Sequence, residues 1–185
     1  MFLKFFLFFF LSLIFSLNLH ANQKQLIIDQ LLEINNFTFS FEQITQGKLE
    51  MGTCFLVFDN KLKCKYINEE QKEIIVNEKT LVIVKKKYNK TYFYPISESP
   101  FLKILNKNNL IELLKESYLE LNDNIDLVYT DKNKRKIIIF FDKKNYQLVG
   151  WKIKDKLQNE IYFSLKIQSI NIETENNFFK IPSNN

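Results

Sequence analysis

Residues 36–66, NFTFSFEQITQGKLEMGTCFLVFDNKLKCKY, alternate apolar and polar side chains in a way that decides the fold of the chain. Successive side chains of a β-strand point to opposite faces of a sheet, so Phe37, Phe39 and Phe41 fall on one face. The alternation returns at the end of the stretch, where every second residue is a lysine. We therefore predict adjoining strands that share an apolar face. A bulge at Gly52 is expected to bend them, because the inward positions are odd-numbered before Gly52 and even-numbered after it.

The rest of the chain continues as short apolar strands separated by turn residues, with a few stretches of helical spacing. That spacing predicts an amphipathic helix over residues 22–34, a short helix capped by Ser99, and another over residues 110–114 capped by Asn108 or Asn109. Such short helices are not stable alone, so they must pack on the sheet. We predict a mainly β fold, an antiparallel β-barrel or half-barrel of about ten strands with short α-helices laid over its mouth. Of the two, an incomplete antiparallel β-barrel with short α-helices forming a lid is the form that can hold an apolar ligand.

The first 21 residues have the features of an export signal. Lys4 supplies a positive start, residues 5–17 form an uninterrupted apolar core, and Ala21 is a small residue suited to cleavage. A core of about 13 residues is shorter than the roughly 20 that cross a bilayer as a helix. We therefore predict a cleaved signal peptide over residues 1–21, a single domain over residues 22–185, and a periplasmic location.

The composition argues against nucleic-acid binding and against catalysis. The net charge of +5 comes with a single arginine, Arg135, whereas readers of nucleic acid usually present several. The only histidine, His20, lies in the predicted signal, and the three glycines form no phosphate-binding loop. We predict a protein that is not an enzyme and that has no cofactor and no metal site.

The two cysteines, Cys54 and Cys64, would meet an oxidising compartment after export. If a hairpin closes through residues 58–60, the two cysteines lie opposite each other on neighbouring strands, where a disulfide is geometrically allowed. The alternative is a pair of small buried side chains without a bond. An even number of cysteines in an exported chain favours the disulfide.

A set of residues in a fixed order resembles the LolA family of periplasmic lipoprotein carriers. The resemblance extends over nearly the whole chain after the signal. It rests on Phe39, Phe41 and Gln43 before Gly47, on Lys61, Leu62 and Lys63 before Tyr66, on Thr80 to Val84, on Pro100, Phe101 and Leu105, on Leu148, Gly150, Trp151 and Asp155, and on Asn171, Phe179, Ile181 and Pro182.

The resemblance implies an incomplete barrel that shelters the acyl chains of a lipoprotein under a helical lid. It implies three partners: acylated lipoproteins as cargo, an ABC transporter of the inner membrane as donor and a receptor lipoprotein of the outer membrane as acceptor. A monomer is expected. The family usually has an Arg-Pro pair before the strand at Lys61, and its arginine holds the lid. Phe58, Asp59 and Asn60 occupy that turn here, so that lid contact does not carry over.

Inward positions of the predicted strands and helices form the expected lining of a lipid cavity. Each of these residues has an alternative role as ordinary core, and the alternatives for the protein are an exported barrel with a packed interior or a carrier of other lipids. The predicted lid helix contributes Ile27, Leu31 and Ile34. The predicted lining comprises Phe37, Phe39, Phe41, Leu49, Met51, Leu56, Leu62, Tyr66, Leu81, Ile83, Phe93, Phe101, Leu105, Trp151, Phe163 and Leu165.

Overall fold

The computed structural model describes residues 22–58, 60–98, 102–131, 134–154, 158–175 and 177–182. The predicted signal peptide lies outside the described residues, and so do Ser99, Pro100 and Phe101. In the part of the chain that is described, no helix has both the length and the apolar character needed to cross a membrane.

One antiparallel sheet of eleven strands forms the body of the molecule. The spatial order is β6-β5-β4-β3-β2-β1-β11-β10-β9-β8-β7, so β6 and β7 are the two edges and the sheet is not closed. The predicted incomplete antiparallel barrel is confirmed, with β7 as the strand that the sequence pattern did not indicate. The strands are β1 Asn36–Thr45, β2 Lys48–Val57, β3 Lys61–Tyr66, β4 Lys72–Asn77, β5 Thr80–Lys85, β6 Lys90–Pro95, β7 Tyr118–Leu121, β8 Ile125–Thr130, β9 Lys136–Phe141, β10 Leu148–Lys154 and β11 Glu160–Ile170.

The predicted bulge at Gly52 is wrong. Strand β2 pairs with β1 in unbroken register from Lys48 to Val57, and Gly52 lies opposite Phe41. Register shifts occur elsewhere, between Thr38 and Phe39 where β1 meets β11, and between Leu148 and Gly150 where β10 meets β9. The even-numbered residues of β2 therefore share one face throughout.

Three α-helices lie over the inner face of the sheet, and their buried residues join one apolar core. Helix α1 covers residues 22–33, α2 is Leu102–Leu105, and α3 is Lys107–Glu116. Helix α3 begins earlier than predicted because Asn106, not Asn108 or Asn109, is its cap: the Asn109 N–H donates to Asn106 Oδ1 at 3.0 Å. Single turns of 3-10 helix occur at Lys86–Tyr88 and Ile96–Glu98.

Two lysines tie α1 and α3 together as an antiparallel pair. Near the start of α1, Lys24 Nζ donates to the carbonyl oxygens of Lys115 and Ser117 at the end of α3, at 2.6 and 2.7 Å. At the start of α3, Lys107 Nζ donates to the carbonyl of Leu32 at the end of α1, at 3.1 Å. Carbonyl groups at a helix C-terminus lack partners within the helix and carry partial negative charge, so a lysine stabilises them. Each helix thus caps the other.

The outer face of β2–β5 is covered by the C-terminal segment of the chain. Ile181 packs against a small cluster of Ile75, Val82 and Val84. The rings of Phe178 and Phe179 lie 5.3 and 5.7 Å from that of Phe55. This segment gives strands β2–β5 a second buried face, so the interior of the barrel does not carry the whole core.

Candidate functional site

A cavity of about 160 Å³ lies between the inner face of the sheet and helices α2 and α3. Its wall is formed by alternate residues of β1 to β5, with further residues from β10 and β11, and its roof by Ile104, Leu105 and Leu110. Most of the lining is hydrocarbon or aromatic, which favours an apolar ligand. For comparison, an engineered apolar cavity of about 150 Å³ binds benzene.

The cavity wall includes nine of the residues that the sequence placed there. Eight of them lie on strands, where alternation indicates the face that a side chain occupies, and Leu105 lies on α2. These residues are Phe37, Phe39, Leu56, Leu62, Tyr66, Leu81, Leu105, Trp151 and Phe163.

Leu49 and Met51 are not in the cavity, and their predicted placement is wrong. Both side chains are exposed, at 52% and 42%. The prediction depended on a bulge at Gly52, and without that bulge the odd-numbered residues of β2 point away from Cys54 and Leu56.

Phe93 is also misplaced by the sequence prediction. It pairs with Val82, which is fully buried in the outer cluster, so Phe93 lies on the outer face and is 42% exposed. The residues of β6 that share the face of Leu81 and Ile83 are Tyr94 and Tyr92. Ile83 is half-buried on the inner face but does not reach the cavity.

Phe41 and Leu165 are buried in the core beside the cavity without lining it. The ring of Phe41 stacks on Phe163 at 4.9 Å between centroids and meets Tyr66 edge-on at the same distance. Leu165 is the cross-strand partner of Phe41. Both residues hold lining residues in place. Phe101 lies outside the described residues, so the structure does not place it.

The residues predicted for the lid helix, Ile27, Leu31 and Ile34, are buried in the apolar core but do not border the cavity. The roof over the cavity comes from α2 and α3 instead. Helix α1 packs beside that roof and is joined to α3 by Lys24 and Lys107.

Several lining residues were not singled out from the sequence. Some of these residues follow the same alternation as the predicted ones. They occupy alternate positions of β2, β3 and β4 and are Cys54, Cys64, Ile74 and Val76. No such pattern indicates the lining residues on the helices. Helical spacing shows that one face of a helix is buried, but it does not show what that face covers. The additional lining residues are Gln43, Cys54, Phe58, Cys64, Lys72, Ile74, Val76, Ile104, Leu110 and Leu148.

A disulfide joins Cys54 to Cys64 within the cavity wall. The two residues are direct partners across β2 and β3, and both are buried. Because they are 10 positions apart, closing this loop in the unfolded chain removes conformational entropy worth about 3 kcal/mol. The bond fixes the middle of the wall against which the helices rest.

Stacked aromatic rings form the part of the wall contributed by β1, β10 and β11. Trp151 stacks on Phe163 with 4.3 Å between ring centroids, and Phe39 meets Phe163 edge-on at 6.3 Å. Phe37 follows at 5.3 Å from Phe39. Such pairs contribute about 0.5–1.5 kcal/mol each beyond the area that they bury. These ring contacts therefore fix the shape of this side of the cavity.

One end of the cavity is polar. Tyr66 donates its hydroxyl to Gln43 Oε1 at 3.1 Å, and Lys72 Nζ lies 3.7 Å from the centroid of the Tyr66 ring. Lys72 donates to both carboxylate oxygens of Glu50, at 2.7 and 2.9 Å. Burial raises the pKa of Tyr66, which keeps its hydroxyl protonated. Burial also disfavours the charge on Glu50, but the hydrogen bonds from Lys72 hold the pKa of that carboxyl below its ordinary value.

The family model described as "Outer membrane lipoprotein carrier protein LolA" matches residues 32–182, most of the chain. No protein of curated function matches the sequence. Solved structures match in fold at low identity. An uncharacterised conserved protein from Thermus thermophilus has a TM-score of 0.52 at 8% identity, over 88% of this chain and 94% of that chain. This likeness shows the fold alone.

Two further solved structures are similar to this chain at low identity. The Mycobacterium tuberculosis lipoprotein LppX has a TM-score of 0.48 at 12% identity, over 83% of this chain and 96% of that chain. A LolA superfamily protein from Nitrosomonas europaea has a TM-score of 0.42 at 8% identity, over 85% of this chain and 97% of that chain.

Proposed function

Because this chain belongs to the LolA family of outer membrane lipoprotein carriers, we propose that it carries acylated lipoproteins through the periplasm from the inner to the outer membrane. The observation that supports this function best is the apolar cavity between the sheet and helices α2 and α3. Its donor would be an ABC transporter of the inner membrane, and its acceptor a receptor lipoprotein of the outer membrane. The family consists of carrier and binding proteins, which agrees with the prediction that this chain is not an enzyme.

The energetics of an acyl chain in water make such a carrier necessary. Each buried methylene is worth about 0.8 kcal/mol, so a lipid anchor does not leave a membrane unless another apolar environment receives it. Phe37, Phe39 and Leu56 provide that environment from the sheet, and Leu105 and Leu110 from the helices. Among the described residues, no group of side chains suited to holding a metal ion is present. In this proposal, delivery depends on differences in affinity between donor, carrier and acceptor.

The cavity of about 160 Å³ is too small for several acyl chains, so the cargo must displace the roof. Among the described residues, helices α2 and α3 are held to the sheet by apolar contacts and few hydrogen bonds. One of these bonds runs from the Asn60 N–H to the Leu105 carbonyl at 3.4 Å. The family arginine is absent from this turn, and the lysine contacts instead join α3 of the roof to the neighbouring helix α1. In this proposal, the described arrangement has the roof closed over the cavity.

Replacement of Leu81 by aspartate tests the proposal, because Leu81 lines the cavity. The purified protein is added to spheroplasts, and the lipoproteins released into solution are measured. The wild-type protein should release them, and Leu81→Asp should release at least tenfold less, since a buried carboxylate is costly. Leu49→Asp is the matched control: Leu49 is 52% exposed and outside the cavity, so release should be unchanged. A folded Leu81→Asp variant that releases lipoproteins normally would contradict the proposal.

A further inference from the structure

The polar end of the cavity lies far from the helices along strand β1. Gln43 is near the end of β1, Tyr66 ends β3, and Lys72 begins β4. The turn from β2 to β3 contacts α2 at the opposite end, where the Asn60 N–H reaches the Leu105 carbonyl. From Phe37 to Gln43 the strand extends about 20 Å. The cavity wall thus runs from an apolar end under the helices to a polar end.

The polar end holds hydrogen-bond donors without net charge. Lys72 and Glu50 form an ion pair at 2.7 Å, with side chains only 15% and 14% exposed, so their charges offset each other. Lys48, 3.6 Å from Glu50, is 76% exposed and lies in water. The Gln43 amide donates one N–H to Thr45 Oγ1 at 3.1 Å and has a second N–H. The Tyr66 hydroxyl can turn from Gln43 to another acceptor. A neutral group that accepts hydrogen bonds suits this set of donors.

We propose that this polar end binds the carbonyl group of an uncharged acyl ester or amide, with the hydrocarbon chain directed along β1 toward helices α2 and α3. The inference rests on the proposed carrier function and specifies the chemical class and the orientation of the ligand. Tyr66 and Gln43 donate to the carbonyl oxygen. Lys72 stays paired with Glu50 and holds the ring of Tyr66 in place from its face.

A free fatty acid fits this site less well than an ester. Its carboxylate would approach the carboxylate of Glu50, which is partly buried, and like charges at close range repel. The charge of Lys72 is already matched by Glu50, and the other cation near Glu50, Lys48, is 76% exposed, so water screens its charge. An ester or amide carbonyl needs only donors, and Gln43 and Tyr66 provide them.

Displacement of an uncharged dye from the purified protein tests the inference. N-phenylnaphthylamine is bound first and then displaced by monolaurin, laurate or dodecane, which share a chain length but end in an ester, a carboxylate and a methyl group. Tyr66 exchanges its bond to Gln43 for one to the carbonyl, and the second N–H of Gln43 adds one bond. A neutral hydrogen bond is worth about a fivefold change in affinity, so monolaurin should be favoured over dodecane by about fivefold or more. Laurate should bind more weakly than monolaurin.

The variant Gln43→Leu/Tyr66→Phe removes both donors and leaves the Lys72–Glu50 pair intact. Its preference for monolaurin over dodecane should fall to about twofold or less, with dodecane binding retained. The single variant Tyr66→Phe loses one hydroxyl only, and it should lose part of the preference if the double variant does not fold. Tyr92→Phe is the matched control, because it removes a hydroxyl from an exposed residue outside the cavity.

The outcomes separate the two proposals. One outcome is that dodecane and monolaurin both displace the dye while the Tyr66→Phe and double variants keep the wild-type preference for monolaurin. In that case the polar end does not bind the carbonyl group, and the carrier function stands. Tighter binding of laurate than of monolaurin would also overturn the inference. If neither the dye nor any of the three ligands binds the wild-type protein, the carrier function itself is wrong.

Discussion

Gly52 leaves the space into which the ring of Phe41 packs. A Cβ atom at this position would overlap the carbonyl oxygen of Lys65 and lie 2.8 Å from Cε1 of Phe41. Neither group can move easily, since Lys65 pairs in β3 and Phe41 stacks on Phe163. We expect Gly52→Ala to lower the free energy of unfolding by about 3 kcal/mol, measured by urea denaturation.

Gly47→Ala provides the contrast for this prediction. No atom lies within 4 Å of the position where its Cβ would be, and its φ of +75° alone disfavours a side chain. We expect a loss of about 1 kcal/mol there. If Gly52→Ala were no more destabilising than Gly47→Ala, the close packing of Phe41 over Gly52 would not be a source of stability.

Gly52 also shows what a sequence pattern does not determine about single residues. A glycine inside a strand is consistent with a bulge or with the close approach of another group. The bulge was predicted and the close approach is observed, so Leu49 and Met51 were placed on the wrong face. Residues on strands without such an ambiguity, such as Phe37, Phe39 and Leu62, line the cavity as the alternation predicts.

The pairing of α1 with α3 depends on two lysines, which gives an element-scale prediction. Lys24→Met and Lys107→Met each remove hydrogen bonds to the last carbonyls of the partner helix while retaining an unbranched side chain. Burial lowers the pKa of Lys24, a sign that its ammonium group is partly removed from water. Each variant should lose about 1 kcal/mol of stability. Amide hydrogen exchange in α1 should become faster, as measured by mass spectrometry.

Lys115→Met is the control for the lysine variants. Lys115 forms an ion pair with Glu112 on the exposed surface of α3, where such a pair contributes little to the stability of the protein. Its loss should leave hydrogen exchange in α1 unchanged. If Lys115→Met increased hydrogen exchange in α1 as much as Lys24→Met does, the lysine contacts between the helices would not be what holds α1 in place.

The helices themselves were predictable in part. The apolar spacing of Ile27, Ile28 and Leu31 indicated α1, and the burial of these residues agrees with an amphipathic helix on the sheet. Which helix covers the cavity was not predictable. The contacts of Lys24 and Lys107 join residues 75 or more positions apart in the chain, and local spacing does not show such pairs.

At the scale of the whole molecule, the sequence indicated all strands of the described sheet except β7, because the apolar pattern of a strand is a local property. Only the family resemblance implied that the sheet stays open, with β6 and β7 as edge strands, because no residue in the sequence indicates an open barrel. The size of the cavity depends on how rings such as Trp151 and Phe163 stack, and stacking is set by all neighbours together. The lining was therefore partly predictable, and the volume was not.

A disulfide that joins the roof to the sheet should separate the binding of small and large ligands. The Asn60 N–H donates to the Leu105 carbonyl at 3.4 Å, so a cysteine pair at these two positions is close enough to be tested for bond formation. In oxidised Asn60→Cys/Leu105→Cys, α2 stays on the β2–β3 turn. Benzene should still bind in the cavity of about 160 Å³, whereas an acylated lipoprotein should not, because its chains require the roof to move.

Reduction of the new bond should restore lipoprotein binding, with Leu105→Cys alone as the control for the changed lining. If the oxidised variant bound a lipoprotein as well as the reduced one, acyl chains would enter the molecule without displacing α2, and the closed state would not be a barrier to cargo.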